Sequence, residues 1–535
     1  MKIHRWIYCY ALVVCGFLTC VSSAAAKPPV KSYDLVVYGG TAAGAMTAVV
    51  AARHGLHVVL LEPGNHIGGM LTGGLSATDL GNSEVIGGIA REFFTRTARI
   101  DHVTSLSRPF DWRFEPHIGE AVLTDMLREA GVEVRLHETL LESHAVIKRD
   151  RKIVSIISTG GKQWRAKVFA DCSYEGDLMA QADVHYTWGR ESTSQYNESL
   201  AGVRAETPKH QFKFPLSPST TEGKLLPEVD PGPLAPAGTA DQKIQAYNFR
   251  AILTQNQGGM IPFPRPAHYD PQEFELLARY LEAFQQKYGR SPRLNEVSMP
   301  VAIPGNKADF NNNGPFSTDY IGKSWNYPNA SYADRKKIWD EHLKYTQGFF
   351  YFLAHDPRVP SPLQQEMNSW GLPIDEFSDT GHWPFQLYIR EGRRMLGEYV
   401  MSQADLQTDR SKADSIGMGS YNSDSHNVER IATPDGRVEN EGDVQVPVSP
   451  YQIPYRSIIP KRTEVTNLLV PVCLSASHIA YSSLRMEPQY MILGEAAGLS
   501  ALLAIEEQKD VQGIDIAGLQ NILLKDGAVL NLPSH

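Results

Sequence analysis

A glycine-rich turn stands near the start of the chain, Gly39-Gly40-Thr41-Ala42-Ala43-Gly44, and a carboxylate, Glu62, follows eighteen positions beyond Gly44. Together these residues could hold a dinucleotide. Gly39 permits a tight turn, Gly44 lets a helix pack closely on its strand, the helix N-terminus receives a pyrophosphate, and Glu62 accepts hydrogen bonds from ribose hydroxyls. Thr41 occupies the position where the second glycine of this pattern usually lies, which restricts the approach of backbone to phosphate. Proton-handling side chains lie far downstream. His478 is one candidate general base; His426 is another, in a glycine-flanked loop where Asp424 and His426 form an Asp-x-His pair able to orient an imidazole. For each the alternative is a structural role, as a hydrogen-bonded histidine or a self-satisfied polar turn. Arg485 stands beside the last long apolar segment and is a candidate to approach cofactor or substrate. Arg390, Arg393 and Arg394 follow i, i+3, i+4 spacing, which predicts one helical face that holds an anion or pairs with Glu391 or Glu398.

The elements that must position these groups are legible in the apolar pattern. Tyr33 to Tyr38 and Val58 to Glu62 read as buried strands around an alanine- and valine-rich helix from Thr41 to His54, one βαβ unit of a parallel sheet. Gly119 to Ala130 reads as a helix and Val132 to Leu136 as a strand. Val146 to Ile157 and Gln163 to Phe169 flank Gly160-Gly161 and read as a hairpin. Residues 189 to 330 lose this rhythm, with only short helices such as Pro271 to Tyr288. Residues 333 to 406 read as helical, and their clustered aromatics as core. Asn467 to Val472 is a predicted strand and Pro488 to Glu507 a predicted long helix rich in small residues.

After Glu62-Pro63-Gly64 the chain runs through Ile67-Gly68-Gly69-Met70 to Gly73-Gly74. Further on stand Phe169-Ala170-Asp171-Cys172-Ser173-Tyr174 and Gly494-Glu495-Ala496-Ala497-Gly498. In these segments the sequence resembles FAD-dependent oxidoreductases of the glutathione-reductase-like superfamily. The resemblance implies FAD as cofactor, with Gly68, Gly69 and Met70 along its flavin side, Asp171 in a strand-to-loop motif returning to it, and residues 494–498 allowing close approach. More narrowly, Ile453 to Pro460, Ser475 to His478, Arg485 to Pro488, Asn312 to Tyr320 and Trp383 to Met395 resemble a large family of exported bacterial FAD-dependent oxidoreductases. Some relatives in that family carry a xanthan-lyase-like label. The resemblance covers essentially the whole chain after its leader.

The leader is residues 1 to 26. Lys2 and Arg5 precede the apolar run Trp6 to Leu18, and Ala24-Ala25-Ala26 offers a cleavage site, so the segment reads as a secretory signal peptide. The run is too short for a span, no later stretch approaches spanning length, and the mature protein is expected in the periplasm or outside the cell. Loss of the leader's two basic residues takes the formal charge from −9 to −11, which excludes a protein built for nucleic acid or anionic membrane surfaces. Cys9, Cys15 and Cys20 lie in the leader; Cys172 and Cys473 are expected to be buried thiols. Asp309, Asn311, Asn313 and Gly314 match the start of a calcium loop, but Tyr320 stands where its bidentate glutamate belongs. The segment is therefore read as an asparagine-rich substrate loop, and no metal is expected.

With 535 residues the chain exceeds what one core usually holds. The expected fold is α/β: a Rossmann-like FAD-binding domain with parallel sheet and β-hairpin, plus an inserted mixed α+β substrate domain. The boundaries are 30–188 for the first FAD-binding part, 189–409 for the substrate domain, 410–510 for the return segment and 511–535 for a tail. The expected activity is hydride transfer from a small polar substrate, a sugar or sugar derivative, to flavin, with an electron acceptor the sequence does not identify. Two rivals are a redox-neutral flavin-using lyase or isomerase and a non-catalytic carbohydrate-binding flavoprotein.

Overall fold

The computed structural model describes residues 31–100, 111–204 and 207–532. The leader read at 1–26, with its three cysteines, lies outside the described residues. Valine and leucine fill β1 (Ser32–Tyr38) and β2 (Val58–Leu61), and their buried runs suit strands covered on both faces. Between them α1 (Ala42–Arg53) is made almost wholly of small and apolar residues and is buried along nearly its whole length. Helices α2 (Gly88–Ile100) and α3 (Pro116–Glu129) follow, then β3 (Glu133–Arg135), β4 (Val146–Arg149), β5 (Lys152–Ile157) and β6 (Gln163–Asp171). They build a seven-stranded sheet in the order β3-β2-β1-β6-β5-β4, with the Leu468–Leu469 strand joined parallel to β6. β1 runs parallel to β2 and β6, and Tyr38 registers with both Leu61 and Asp171. The carboxyl ends of three strands therefore meet at one edge, where ligands bind in open α/β sheets.

The long apolar helix Glu487–Glu506 lies across α1. Gly494 and Gly498 permit this: a Cβ on Gly494 would overlap the Ala43 carbonyl, and one on Gly498 would come 2.7 Å from the Thr47 carbonyl oxygen. By length and hydropathy this helix could cross a membrane, a property the sequence reading missed, but 94% of the apolar window is buried in the protein. A second hydrophobic core, with Phe274, Phe310, Tyr345, Phe349, Phe350 and Trp383 in it, forms from residues 216 to 383 and Val438. Its helices are Glu275–Tyr288, Tyr332–His355 and Ser361–Asn368, beside the sheet formed by Ala251–Thr254, Ser298–Ile303 and Lys307–Asn312.

Four expectations need correction. The predicted hairpin is a three-stranded meander, because Asp150 takes a left-handed conformation (φ 55°) and turns the chain between β4 and β5. Residues 333 to 406 are not helical throughout: beyond Asn368, Gly371, Pro373, Gly381, Pro384 and Gly392 interrupt the helix. Arg390, Arg393 and Arg394 consequently lie on an extended, buried segment, with Arg394–Met395 paired to Tyr186–Thr187, and share no helical face. The supposed asparagine-rich loop is largely a strand, and Asp309 within it is bound by Arg250 at 2.7 and 2.8 Å.

Candidate functional site

At the carboxyl edge of β1 and β2 a cleft of about 560 Å³ opens, walled by Gly39, Thr41, Glu62, Pro63, Gly69, Ser173 and Tyr174. Gly39 has φ 97°, and a Cβ there would stand 2.7 Å from the Ser173 amide nitrogen. Thr41 is the N-cap of α1: its hydroxyl accepts from the Gly44 amide at 3.2 Å and donates to the Cys172 carbonyl at 2.7 Å. The residue that breaks the glycine pattern thus caps the helix, while the amides of Ala42 and Ala43, in the first turn, have no intrahelical partner. Glu62 accepts from the Gly40 and Gly64 amides, both at 2.6 Å. Burial pushes its carboxyl up to about 7 against these two donors. Gly68 extends the cradle by donating its amide to the Gly40 carbonyl at 2.7 Å.

Beyond this cradle lie buried polar atoms with no partner among the described residues: Glu487 Oε2 and the side-chain nitrogen and oxygen of Gln489 at the start of the long helix, and Ser76 Oγ and Thr78 Oγ1 after the second glycine pair. Tyr174 joins these regions, accepting from the Met70 amide and donating to Glu487 Oε1, each at 2.9 Å. Burial raises Glu487 to about 8. Buried polar atoms require partners, and a dinucleotide whose ring edge carries nitrogen and oxygen atoms fits this donor and acceptor set. Two expected cofactor residues are placed otherwise. Asp171 is fully buried and spends both oxygens on its own loop, on the Ser173 amide and hydroxyl and the Met179 amide. It shapes the cleft wall that Ser173 and Tyr174 form. Glu495 accepts the Ile89 amide at 3.2 Å at the start of α2; Ala496 and Ala497 are buried in the helix core.

Next to the long helix lies a dense group of charges. Tyr388 is surrounded by three guanidinium groups, with Arg390, Arg485 and Arg250 at 4.6, 5.9 and 6.0 Å from its ring centroid. Arg485 donates to the Tyr388 hydroxyl at 3.0 Å and to the Asp424 carbonyl at 2.7 Å. Arg390 lies 2.9 Å from Asp319, and Asp319 binds His426 Nδ1 at 2.6 Å. Asp319, not the sequence neighbour Asp424, therefore orients the imidazole; Asp424 stands 4.0 Å from His426 Nε2 and 4.0 Å from Arg485. Burial opposes ionisation of Asp319, but Arg390 and His426 together outweigh it and hold the carboxyl far below its usual range. Burial and the same guanidinium bring His426 down to about 4, so its imidazole is neutral near pH 7. Asp79, which neither the motifs nor their spacing revealed, faces Tyr421; burial and then the Asp424 carboxylate push it upward.

His478 sits in a different environment. It opens the His478–Leu484 helix, its Nδ1 lies 2.8 Å from Glu391 and its Nε2 3.1 Å from Ser425 Oγ, and its side chain is 2% exposed. Both ring nitrogens are engaged. Glu391 also pairs with Arg394, which holds Glu191 at 2.6 Å. Burial would raise Glu391, yet His478 and Arg394 bring it down to about 2. Glu391→Ala leaves a buried arginine short of its partner, and removal of one member of such a group costs about 3–5 kcal/mol. A correspondingly lower midpoint of denaturant unfolding is expected. Arg393 is bound by Asp177 at 2.6 Å, so neither Arg393 nor Arg394 is free for an anion, and Glu398 serves the Arg462 amide.

The sequence profile of the family described as FAD dependent oxidoreductase matches residues 34–523. The chain belongs to that family. This FAD-dependent oxidoreductase is 54% identical over 50 residues to vinyl phenol reductase of Lactiplantibacillus plantarum, a match that covers 9% of this chain and 10% of that one. It is similar to NikD, described as an unusual amino acid oxidase essential for nikkomycin biosynthesis, at 17% identity over 30% of this chain and 57% of that one, with a TM-score of 0.23. Similarity to L-proline dehydrogenase from P. horikoshii stands at 12% identity, 30% of this chain, 59% of that one and a TM-score of 0.23. The oxidoreductase thus spans under two thirds of the length of each of these three proteins. It binds FAD. With Glu62 as the ribose acceptor expected from the sequence, Glu62→Ala removes that acceptor. Loss of a hydrogen bond to a charged group costs about 1.5–3 kcal/mol, so equilibrium dialysis should record about a tenfold to hundredfold weaker FAD affinity.

Proposed function

We propose that this oxidoreductase oxidises a small polar substrate rich in hydroxyl groups, a sugar or sugar derivative, outside the cytoplasm. The chemistry that bound FAD supplies is acceptance of a hydride from the carbinol carbon. The carrying observation is the grouping of His426, Asp424, Asp79 and Arg485. Asp319 accepts the Nδ1 proton and so leaves the Nε2 lone pair of a neutral imidazole to take the substrate hydroxyl proton. Asp319 then stabilises the imidazolium. Asp79 and Asp424 are two adjacent carboxylates suited to accept from neighbouring hydroxyls, and Arg485 offers an Nε proton with no acceptor among the described residues. His478, with both nitrogens occupied, serves as a brace for the Glu391 and Ser425 segments. The basic, apolar leader with its small-residue cleavage site supports export to the periplasm or beyond.

Anaerobic addition of monosaccharides, aldonic acids and amino sugars to the holoprotein tests this reading. Loss of the oxidised flavin absorbance with one of them is expected. Turnover without net reduction would place the protein among redox-neutral flavoenzymes, and binding with neither would make it a carbohydrate-binding flavoprotein.

A further inference from the structure

A second cleft of about 590 Å³ lies apart from the cofactor cleft and shares none of its lining residues. Its size falls within the roughly 300–1,000 Å³ of small-molecule sites. Two half-buried tryptophans, Trp188 and Trp325, line it. The Trp325 ring is fixed from behind: its Nε1 donates to the Val428 carbonyl at 2.9 Å, and the Lys243 ammonium lies 4.6 Å from the ring centroid. With its N–H spent, this indole offers the cleft an apolar surface and no donor. Around the tryptophans stand three exposed amides, Gln242, Asn326 and Asn329. Gln242 and Asn326 supply both donor and acceptor atoms, whereas Asn329, whose Oδ1 accepts from Tyr186 and Arg393, supplies its donor. The charges balance, with Lys323 and Lys337 against Asp334 and Glu341, so the cleft has no net attraction for an ion.

Aromatic faces for C–H bonds, amides for hydroxyls and zero net charge together describe recognition of an uncharged saccharide. Along the chain the cleft lies close to the proposed catalytic cluster: Gly322 follows Asp319 by three residues, and Val428, which anchors Trp325, follows His426 by two. We infer that this cleft is a saccharide-binding subsite, and that the substrate is a neutral oligosaccharide whose body rests on Trp188 and Trp325 while one terminal sugar reaches His426. This inference rests on the carbohydrate reading above and extends it from a single sugar to a chain.

Calorimetric titration of the holoprotein with cellohexaose, xylohexaose and mannohexaose, and with hexagalacturonate as an anionic probe, decides the matter without reference to flavin reduction. At least one neutral hexaose should bind, and hexagalacturonate should bind more weakly. Trp188→Ala should weaken the neutral ligand at least tenfold, Trp188→Phe should recover most of the loss, and FAD content should stay unchanged in both. Trp325→Ala should have a similar effect; because its hydrogen bond to Val428 is structural, Trp188 is the deciding position. Absence of binding by all three neutral probes, preference for the anion, or wild-type affinity in Trp188→Ala would overturn the inference. Flavin reduction by monosaccharides in a protein that binds none of the hexaoses would leave the redox reading intact and remove the subsite. Hexaose binding that depends on Trp188 in a protein whose flavin no sugar reduces would do the reverse.

Discussion

Gly44→Val protein should be recovered without FAD. A Cβ at position 44 overlaps the Gly39 carbonyl oxygen, backbone in the very turn that faces the phosphate, and also approaches Cys172 Cβ at 3.2 Å. Neither neighbour is a flexible side-chain end, so α1 must back away from β1 or the turn must open. Either movement displaces the first-turn amides of Ala42 and Ala43 from the cofactor. Overpacking of this kind costs about 1–3 kcal/mol where the surroundings can yield, and here α1 is pinned from its other side by the Glu487–Glu506 helix. The flavin-to-protein absorbance ratio of purified protein is the measurement. A normal ratio would falsify the assignment of this turn as the phosphate cradle.

His426→Gln should reduce flavin about 10²- to 10⁴-fold more slowly, the contribution of a positioned acid-base group, while FAD content stays normal. Rapid mixing with a reducing sugar reads the rate. His478→Gln serves as the contrasting variant: it disturbs the Glu391 and Ser425 contacts and should lower stability more than it lowers the rate at saturating substrate. The pH profile separates the two further. Since His426 in the folded protein titrates at about 4, its basic form persists through neutral pH, and reduction should fall as acidity passes that value rather than near 6.5. Stability moves in the same direction. The unfolded chain takes up a proton on this histidine before the folded chain does, so the contribution of His426 to stability declines as pH falls from 6.5 towards 4.

The cofactor end of the molecule was legible because its physics is local. Strand, glycine turn, helix, strand and Glu62 follow one another within thirty residues, from Tyr33 to Glu62, and each enforces the next. Thr41 illustrates the limit of a motif: as a lost glycine it predicts impaired phosphate approach, whereas the folded chain uses its hydroxyl as a cap. The catalytic cluster was only half legible. His426, Asp424 and Arg485 were identifiable by type, but the carboxylate that orients His426 comes from Asp319, 107 residues away. Sequence spacing also misled at Arg390 to Arg394, where helical spacing was present but the chain is extended, with Gly392 so close to the Tyr174 carbonyl that a Cβ would not fit. Both Asp319 and Tyr388 lie in segments that resemble the family, so the signal existed without a geometry to interpret it. Asp171 and Glu495 were expected beside the cofactor, yet each carboxylate is engaged by nearby backbone amides that no spacing rule exposes.

The packing of the Glu487–Glu506 helix against α1 has a consequence in time. At the ribosome, α1 is complete about 450 residues before its cover emerges, an interval of roughly 20 to 90 s at ordinary rates of synthesis, about 5–20 residues per second. Throughout that interval the face of α1 that packs on Gly494 and Gly498 is uncovered, and the Tyr174 hydroxyl lacks Glu487. A nascent chain halted before residue 487 should therefore fail to retain FAD however complete its first βαβ unit is, so that cofactor capture follows chain release instead of guiding the early steps of folding.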